Sequence, residues 1–249
     1  MGVDATNYAH VTEAACSWAR EASSRSICFA TVNNVMEAYD SAEFRRVMNG
    51  ADLVTPDGMP LVWSLRLLGH PDATRVYGPD LTLFLLKRAE RERLSVGFYG
   101  GSPEVLARLV RVVERDYPQT RIVYAYSPPF RPLSPEEDER VVQEINASRT
   151  SILFIGLNTP KQDFWMAAHR GRVRSVMLGV GAAFDFIAGS KRQAPRWMMR
   201  CGLEWAFRFF TEPRRLARRY LKHNPRFVAL FLLQLLRSSV RGCVQNGRS

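Results

Sequence analysis

Short apolar runs rich in Val, Ile and Phe alternate along the chain with longer segments in which apolar residues recur at helical spacing. Continuous apolar runs are typical of strands that are buried on both faces, and their alternation with helices is typical of a parallel sheet. The pattern predicts six strands, namely Ile27–Val32, Ala51–Val54, Leu94–Tyr99, Ile122–Tyr126, Ser151–Leu157 and Val176–Val180.

Helix-start signals follow several of these strands. The segments Ser102–Glu104 and Ser134–Glu136 each place a capping serine before a proline and an acidic residue, which favours a helix start. The first segment predicts a helix over Val105–Tyr117, and the second predicts a helix that ends near Ala147. The predicted fold is therefore α/β, with a Rossmann-like, mostly parallel sheet flanked by helices.

A third start signal is Thr159–Gln162, which has the spacing of a capping box and predicts a helix through about His169. On this interpretation Gln162 has a structural role only.

The pattern changes after residue 189, where the α/β alternation stops and basic helices begin. We predict helices over Pro195–Phe210, Arg214–His223 and Phe227–Val240, with breaks at Pro213 and Pro225. The apolar stretch within the last helix is too short to cross a bilayer, so it either packs on the main domain or lies in a membrane interface. The predicted organisation is an α/β domain over residues 1–189 and a basic helical appendage over residues 190–249.

The two parts of the chain differ strongly in net charge. Residues 190–249 contain fourteen Lys and Arg but only two acidic residues, whereas residues 1–189 contain 21 basic and 22 acidic residues. A neutral body with a cationic appendage predicts an anionic partner: membrane lipid, a diphosphate or nucleic acid.

Several classes are excluded or disfavoured. No apolar run approaches the ~20 residues of a spanning helix, which excludes a polytopic membrane protein. The first residues lack the order of a secretory signal and the four cysteines are scattered, so a cytoplasmic protein is expected. The isolated histidines and the absence of an Asp-x-Asp pair predict no metal site, and no cofactor motif is present. A bound diphosphate would then need arginine to neutralise it.

Asp57 is the first candidate for chemistry because it follows the strand that ends at Val54. In α/β sheets ligands bind at the carboxyl edge, so Asp57 is a candidate general base. The alternative interpretation is an acid in the first turn of a helix capped by Thr55. Arg75 could equally be a surface arginine, and Asp185 a buried capping carboxylate. The residues alone indicate a soluble α/β protein that is a candidate for nucleotide binding.

Taken together, several stretches resemble the WecG/TagA/CpsF glycosyltransferases, glycosyltransferase family 26. The segments that carry the resemblance are Thr31–Asn33, Thr55–Pro60, Arg75–Asp80, Gly97–Glu104, Gly156–Trp165, Gly179–Asp185, Gly202–Trp205 and Glu212–Arg215. The sequence differs from the family pattern at Gln193, where arginine is usual, and at Asp163, where glutamate is usual.

The resemblance implies an inverting, metal-independent bacterial transferase that uses no cofactor. Its donor would be a UDP-sugar carrying a hexose or an N-acetylhexosamine, of the N-acetylmannosamine or glucose type. Its acceptor would be a polyprenyl-diphosphate-linked saccharide in cell-surface polysaccharide biosynthesis. The expected location is the cytoplasm, with peripheral association to the inner leaflet of the plasma membrane. A homo-oligomer would be one way to bury the apolar appendage.

The resemblance also implies roles for individual residues. Asp57 would be the catalytic base. The expected substrate-binding residues are Thr31, Asn33, Arg75, Gly100, Gly101, Asn158, Gln162, Asp185, Arg214, Arg218 and Arg219. The rival interpretation is a non-catalytic module whose basic tail binds anionic lipid or nucleic acid. The helix-forming order of Leu216–Leu236 favours lipid, so no nucleic-acid partner is expected.

Overall fold

The computed structural model describes the backbone of residues 1–211 and 213–246, and all side chains within them except those at positions 200, 213–215, 217–219 and 238–246. The helices are α1 (Tyr8–Arg20), α2 (Val32–Asp40), α3 (Ala42–Asn49), α4 (Met59–Leu67), α5 (Gly78–Glu92), α6 (Pro103–Asp116), α7 (Pro135–Ala147), α8 (Lys161–His169), α9 (Ala183–Ile187), α10 (Arg196–Arg200), α11 (Glu204–Thr211) and α12 (Pro213–Asn246). The strands are β1 (Arg25–Ala30), β2 (Leu53–Pro56), β3 (Ser95–Gly100), β4 (Arg121–Tyr126), β5 (Ile152–Gly156) and β6 (Val176–Leu178).

The six strands form one parallel sheet in the order β2-β1-β6-β5-β3-β4. All six predicted strands are present, with bounds that differ by at most two residues, and the predicted α/β fold class is confirmed. The helices predicted after Ser102 and Ser134 are also present, and each serine caps its helix.

Alternation along each strand divides the core between the two faces of the sheet. In β5, Ile152 and Phe154 belong to one buried cluster, and Leu153 and Ile155 belong to the other. Helices α1, α5, α6 and α9 cover the first face, whereas α3, α7 and α8 contribute buried residues to the second. Both faces are therefore covered, which is why the strands are apolar throughout.

The strand order brings the carboxyl ends of β1, β2, β5 and β6 to one edge. From β1 the chain passes to β2 on one side and later returns to β6 on the other. A crevice forms at such a reversal in open α/β sheets, and ligands bind there.

The helices that follow residue 189 differ from the prediction. The single helix expected over Pro195–Phe210 is wrong: α10 and α11 are separate helices, divided at Gly202. Gly202 has φ +72°, and a Cβ at this position would lie 2.9 Å from the Trp63 ring, so both backbone conformation and space favour glycine. The break expected at Pro225 is also wrong, because α12 continues through it.

Contacts with the main domain hold α12 on both sides of Pro225. Leu216 is buried, and Phe227 packs against the second core cluster. Between them Arg226 forms a two-pronged ion pair with Asp40 at the end of α2, at 2.7 and 2.9 Å. This packing compensates for the hydrogen bond that proline cannot donate.

The apolar stretch of α12 is only partly packed on the main domain. Phe227 packs on the main domain, whereas Val228, Leu232, Leu233 and Leu236 are at least half exposed. Over the residues described, none of the helices combines the length and apolar character needed to cross a bilayer.

Candidate active site

Asp57 lies at the carboxyl edge of the sheet, directly after β2. Its amide donates to the carbonyl of Ala30 at 2.9 Å, which extends the β1–β2 pairing by one residue. Helix α4 begins only at Met59, with Gly58 as its N-cap, and Thr55 is buried within β2. The alternative of a first-turn acid capped by Thr55 is therefore wrong, because the strand continues past Thr55.

Arg75 is bound to Asp57 rather than free at the surface. Its side chain is only 15% exposed. Its Nε donates to the backbone carbonyl of Asp57, and its Nη2 lies 3.2 Å from Asp57 Oδ1. The guanidinium also stacks on the Tyr77 ring, 4.4 Å from the ring centre.

Glu204 of α11 completes this group of charges. Its Oε2 accepts from Arg75 Nη2 at 2.5 Å, and its Oε1 lies 3.9 Å from Arg208 Nη1. Arg75 thus lies between a carboxylate of the α/β domain and a carboxylate of the C-terminal helices. Pattern-based prediction did not assign a role to Glu204 or Arg208; the signal for Glu204 was that it is one of only two acids in a strongly basic segment.

The surroundings change the proton affinity of Asp57. Burial raises its pKa to about 6, and the negative charge of Glu204 adds to this effect, whereas Arg75 and Arg208 oppose it. Burial alone would lower the pKa of Arg75, but Asp57 and Glu204 raise it above its ordinary value. At neutral pH the site therefore contains an ionised carboxylate and a permanently charged guanidinium.

Two cavities meet at Asp57. The core-side cavity, of about 530 Å³, lies over the ends of β1, β5 and β6, and the tail-side cavity, of about 170 Å³, lies between α4, α11 and α12. The residues that line both are Thr31, Asp57, Glu204 and Arg208. Asp57 is therefore part of the wall between the two cavities.

The core-side cavity is the more polar of the two. Its wall includes Asn158, Gln162 and the loop Gly179–Ala183, with Lys191 and Arg192 at one side. The larger cavity lies within the ~300–1,000 Å³ range typical of small-molecule sites.

Gln162 does not form the predicted capping box. Helix α8 is preceded by Pro160 and lacks a side-chain cap. Gln162 donates instead from Nε2 to the carbonyl of Gly179, at the end of β6, at 2.5 Å and to the Thr159 hydroxyl at 3.3 Å. Its buried Oε1 has no hydrogen-bond partner among the described residues, and it lies beside Gly181 in the cavity wall.

The tail-side cavity is more apolar. Its lining includes Met59, Pro60, Trp205, Leu216 and Tyr220. The rings of Trp205 and Tyr220 meet edge to face, with centres 6.3 Å apart. This cavity exists only because α11 and α12 lie over the end of the sheet.

The remaining predicted site residues are placed as follows. Thr31 starts α2, where its amide and hydroxyl donate to Asn34 Oδ1, and Asn33 lines the tail-side cavity. Asp185 pairs with Lys191 at 3.3 Å and is not among the described residues that line either cavity.

Gly100 and Gly101 are likewise absent from the described lining of both cavities. Gly100 has φ +117°, and a Cβ there would lie 2.7 Å from the Gly156 backbone, so this glycine permits close strand packing. The side chains of Arg214, Arg218 and Arg219 lie outside the described residues. Within the described part of the chain, no group of three or more His, Cys, Asp or Glu side chains is arranged to hold a metal ion.

Comparison with known proteins agrees with this arrangement. The family model described as "Glycosyl transferase WecG/TagA/CpsF family" matches residues 1–241. A protein of Bacillus spizizenii (strain ATCC 23059 / NRRL B-14472 / W23), named N-acetylglucosaminyldiphosphoundecaprenol N-acetyl-beta-D-mannosaminyltransferase, is 32% identical over 197 residues. The match covers 79% of this chain and 74% of that protein. The chain thus belongs to the WecG/TagA/CpsF family and is a glycosyltransferase.

Proposed function

We propose that this glycosyltransferase moves a hexose or an N-acetylhexosamine from a UDP-sugar to a polyprenyl-diphosphate-linked saccharide, with inversion and without a metal ion. The observation that carries the proposal is the position of Asp57 in the wall shared by two cavities of different character. The name of the Bacillus relative, an N-acetylmannosamine transferase acting on a diphosphoundecaprenol-linked sugar, supports this substrate class. The reaction belongs to cell-surface polysaccharide biosynthesis.

In this proposal Asp57 is the general base. An inverting displacement requires one carboxylate to take the proton of the acceptor hydroxyl as that oxygen attacks the anomeric carbon. A positioned base of this kind contributes ~10²- to 10⁴-fold to the rate. The raised pKa of Asp57, about 6, keeps the carboxylate ionised at neutral pH and makes it more basic than an exposed aspartate.

The donor occupies the core-side cavity. Asn158, Gln162 and the backbone of the loop Gly179–Ala183 offer the donors and acceptors that a nucleotide base and ribose require. The unpaired Oε1 of Gln162 is a buried acceptor that a donor on the ligand would satisfy. Thr31, at the boundary of the two cavities, then faces the sugar.

The acceptor reaches Asp57 through the tail-side cavity. Trp205 and Tyr220 present aromatic surface for the apolar face of a sugar, and Asn33 lies in the same wall. In this proposal the acceptor hydroxyl approaches the anomeric carbon from the tail side while UDP departs on the core side, so the bond that forms and the bond that breaks lie on opposite faces of that carbon, as in-line displacement requires.

Positive charge near Asp57 stabilises the departing UDP. Arg208 lines both cavities, and Lys191 and Arg192 line the core-side cavity that holds the donor. On helix α12, Arg214 and Arg218 are four positions apart, and Arg219 is four positions from Arg215. Because this spacing places paired residues on one helix face, we assign Arg214, Arg218 and Arg219 to the developing diphosphate charge.

The appendage of residues 190–249 brings the site to the inner leaflet of the plasma membrane. The exposed Val228, Leu232, Leu233 and Leu236 form an apolar surface on α12, within a segment rich in arginine. Apolar helix faces flanked by basic residues bind anionic membrane interfaces. A lipid-linked acceptor is confined to that interface.

A panel of UDP-sugars, each incubated with a synthetic polyprenyl-diphosphate sugar and with or without a chelator, tests the proposal. We expect turnover with one UDP-hexose or UDP-N-acetylhexosamine, an inverted anomeric configuration by NMR, and equal rates with EDTA. Retained configuration or chelator-sensitive turnover would contradict the mechanism. Binding of anionic vesicles with no transfer from any donor would instead indicate a binding module.

A further inference from the structure

Glu204 is the residue of the C-terminal helices that contacts the charged group around Asp57 most directly. Arg75 Nη2 lies 2.5 Å from Glu204 Oε2 and 3.2 Å from Asp57 Oδ1. Glu204 and Arg75 are 129 positions apart in the chain, and their side chains are only 13% and 15% exposed. A carboxylate this buried requires a charged partner, and Arg75 supplies it.

Arg75 contacts the two carboxylates at different distances. The guanidinium lies closer to Glu204 than to the Asp57 carboxylate, and its described contact with that carboxylate is to Oδ1 alone. An arginine with one carboxylate partner tends to form two parallel, short hydrogen bonds. Such a pair would engage both oxygens of Asp57 and weaken it as a base.

We propose that Glu204 is a positioning residue for the base: by holding Arg75, it leaves the Asp57 carboxylate oriented but only partly neutralised. This inference rests on the proposed role of Asp57. It makes docking of α11 a condition for a competent base, because the second carboxylate arrives only with that helix.

The electrostatics around Asp57 agree with this assignment. Glu204 raises the pKa of Asp57, whereas Arg75 and Arg208 lower it. The other titratable groups nearby are Tyr8 and Tyr77, whose own pKa values are raised well above the ordinary range by burial, and His223 of α12, which lines the tail-side cavity. Removing the charge of Glu204 therefore leaves the pKa-lowering effect of Arg75 on Asp57 less opposed, and the pKa of Asp57 falls.

The test is the pH dependence of kcat and KM in the full-length protein with Glu204→Gln. We expect the acid limb of the kcat/KM profile to move to lower pH by about one unit. We expect kcat on the plateau to fall on the order of tenfold, because the base is weaker and more fully engaged, while KM for the donor changes by less than about threefold. Glu204→Asp, which keeps the charge, should restore most of the wild-type pH dependence of kcat/KM.

The matched control is Glu92→Gln, which removes a carboxylate paired with Arg20 and Arg88 on the far side of the domain.

Arg75→Lys gives a second measurement that does not depend on how well position 204 tolerates substitution. Lysine keeps the charge but loses the planar fork, so its hold on Asp57 is weaker. We expect the acid limb to move upward, opposite to Glu204→Gln. The inference would be overturned if the acid limb of the kcat/KM profile does not move in Glu204→Gln, whether or not kcat falls and KM rises. It would also be overturned if the acid limb moves to lower pH in Arg75→Lys.

Failure of this inference is distinguishable from failure of the proposed function. Wild-type rates in Asp57→Asn would show that Asp57 is not the base, and the proposed role of Glu204 would then fail with it. Loss of turnover in Asp57→Asn together with an unmoved limb in Glu204→Gln would remove only Glu204.

Discussion

The core-side and tail-side halves of the site are held in place by different forces. On the core side, Asp57 and Gln162 are tied to the backbone of the sheet, through Ala30 and Gly179 respectively. On the tail side, α11 and α12 are attached through side chains: the Glu204–Arg75 pair, the Arg226–Asp40 pair, and the buried apolar contacts of Leu216 and Phe227.

Because of this difference, we expect the core-side half to form with the sheet and the tail-side half to be open to separate alteration. The backbone hydrogen bond between Asp57 and Ala30 is part of the sheet and is lost only when the fold is lost. By contrast, we expect that the ion pairs and apolar contacts of α11 and α12 can be removed while the sheet, which has buried clusters on both faces, stays folded. The tail-side contacts are therefore the natural place to separate folding from activity.

Removing α12 should have the largest effect on activity and a small effect on folding. A chain that ends at Thr211 keeps the sheet and α11 but loses the arginines of α12 and the wall of the tail-side cavity. We expect transfer to fall by more than about 1,000-fold and vesicle binding to be lost. The thermal midpoint, measured by circular dichroism, should fall by only a few degrees.

The matched control is a chain that ends at Arg237, which keeps Leu216, Arg226, Phe227 and the exposed apolar face. It should retain activity and vesicle binding. Full activity in the chain ending at Thr211 would show that the core-side half is sufficient for transfer.

Asp57→Asn should have the next largest effect. We expect kcat to fall by ~10²- to 10⁴-fold, since asparagine cannot accept the proton, while UDP binding by calorimetry is unchanged. In the wild type, protonation of Asp57 should reduce activity as pH falls below about 6. Because the folded-state pKa is raised, ionisation costs stability above that pH, so Asp57→Asn should unfold at an equal or higher temperature at pH 7.

The exposed Asp72 provides a matched control for this substitution. Asp72→Asn removes an exposed acid, three positions before Arg75 in the chain, that lines neither cavity among the described residues, and it should leave kcat and the acid limb unchanged. A similar loss in both variants would point to general electrostatics rather than to a base.

The sheet and the place of Asp57 at its carboxyl edge were predictable from the sequence, but the contacts of the C-terminal helices were not. Continuous apolar runs define buried strands, and a strand that ends before Asp57 places this residue at the carboxyl edge whatever the details of the turn. The contact between Arg75 and Glu204 joins positions 129 apart, and no local pattern encodes it. Likewise, the rule that proline ends a helix is local, and at Pro225 the packing of Leu216 and Phe227 overrides it.

Gln162→Leu should have an intermediate effect that is confined to the donor. It leaves the carbonyl of Gly179 without the described hydrogen bond from Nε2 and removes the free acceptor in the cavity wall. A lost buried hydrogen bond costs about 1–3 kcal/mol, so we expect KM for the UDP-sugar to rise on the order of tenfold with a smaller change in kcat. Gln143→Leu on the exposed face of α7 is the control, and an unchanged KM in Gln162→Leu would exclude a role for Gln162 in donor binding.

Asp40→Asn should have the smallest effect, and it measures how much the ion pairs contribute to docking of α12. Arg226 lowers the pKa of Asp40 to about 2, so the pair stays ionised throughout any practical assay range and is lost only as pH falls through that value. Because the pair is exposed, we expect activity to fall by less than about threefold at low salt and not at all near ~0.5 M salt, where such charges are screened. The control is Asp116→Asn, which breaks a similar two-pronged surface pair with Arg115 on α6. A loss greater than about tenfold would mean that this ion pair, rather than burial of Leu216 and Phe227, holds α12 against the domain.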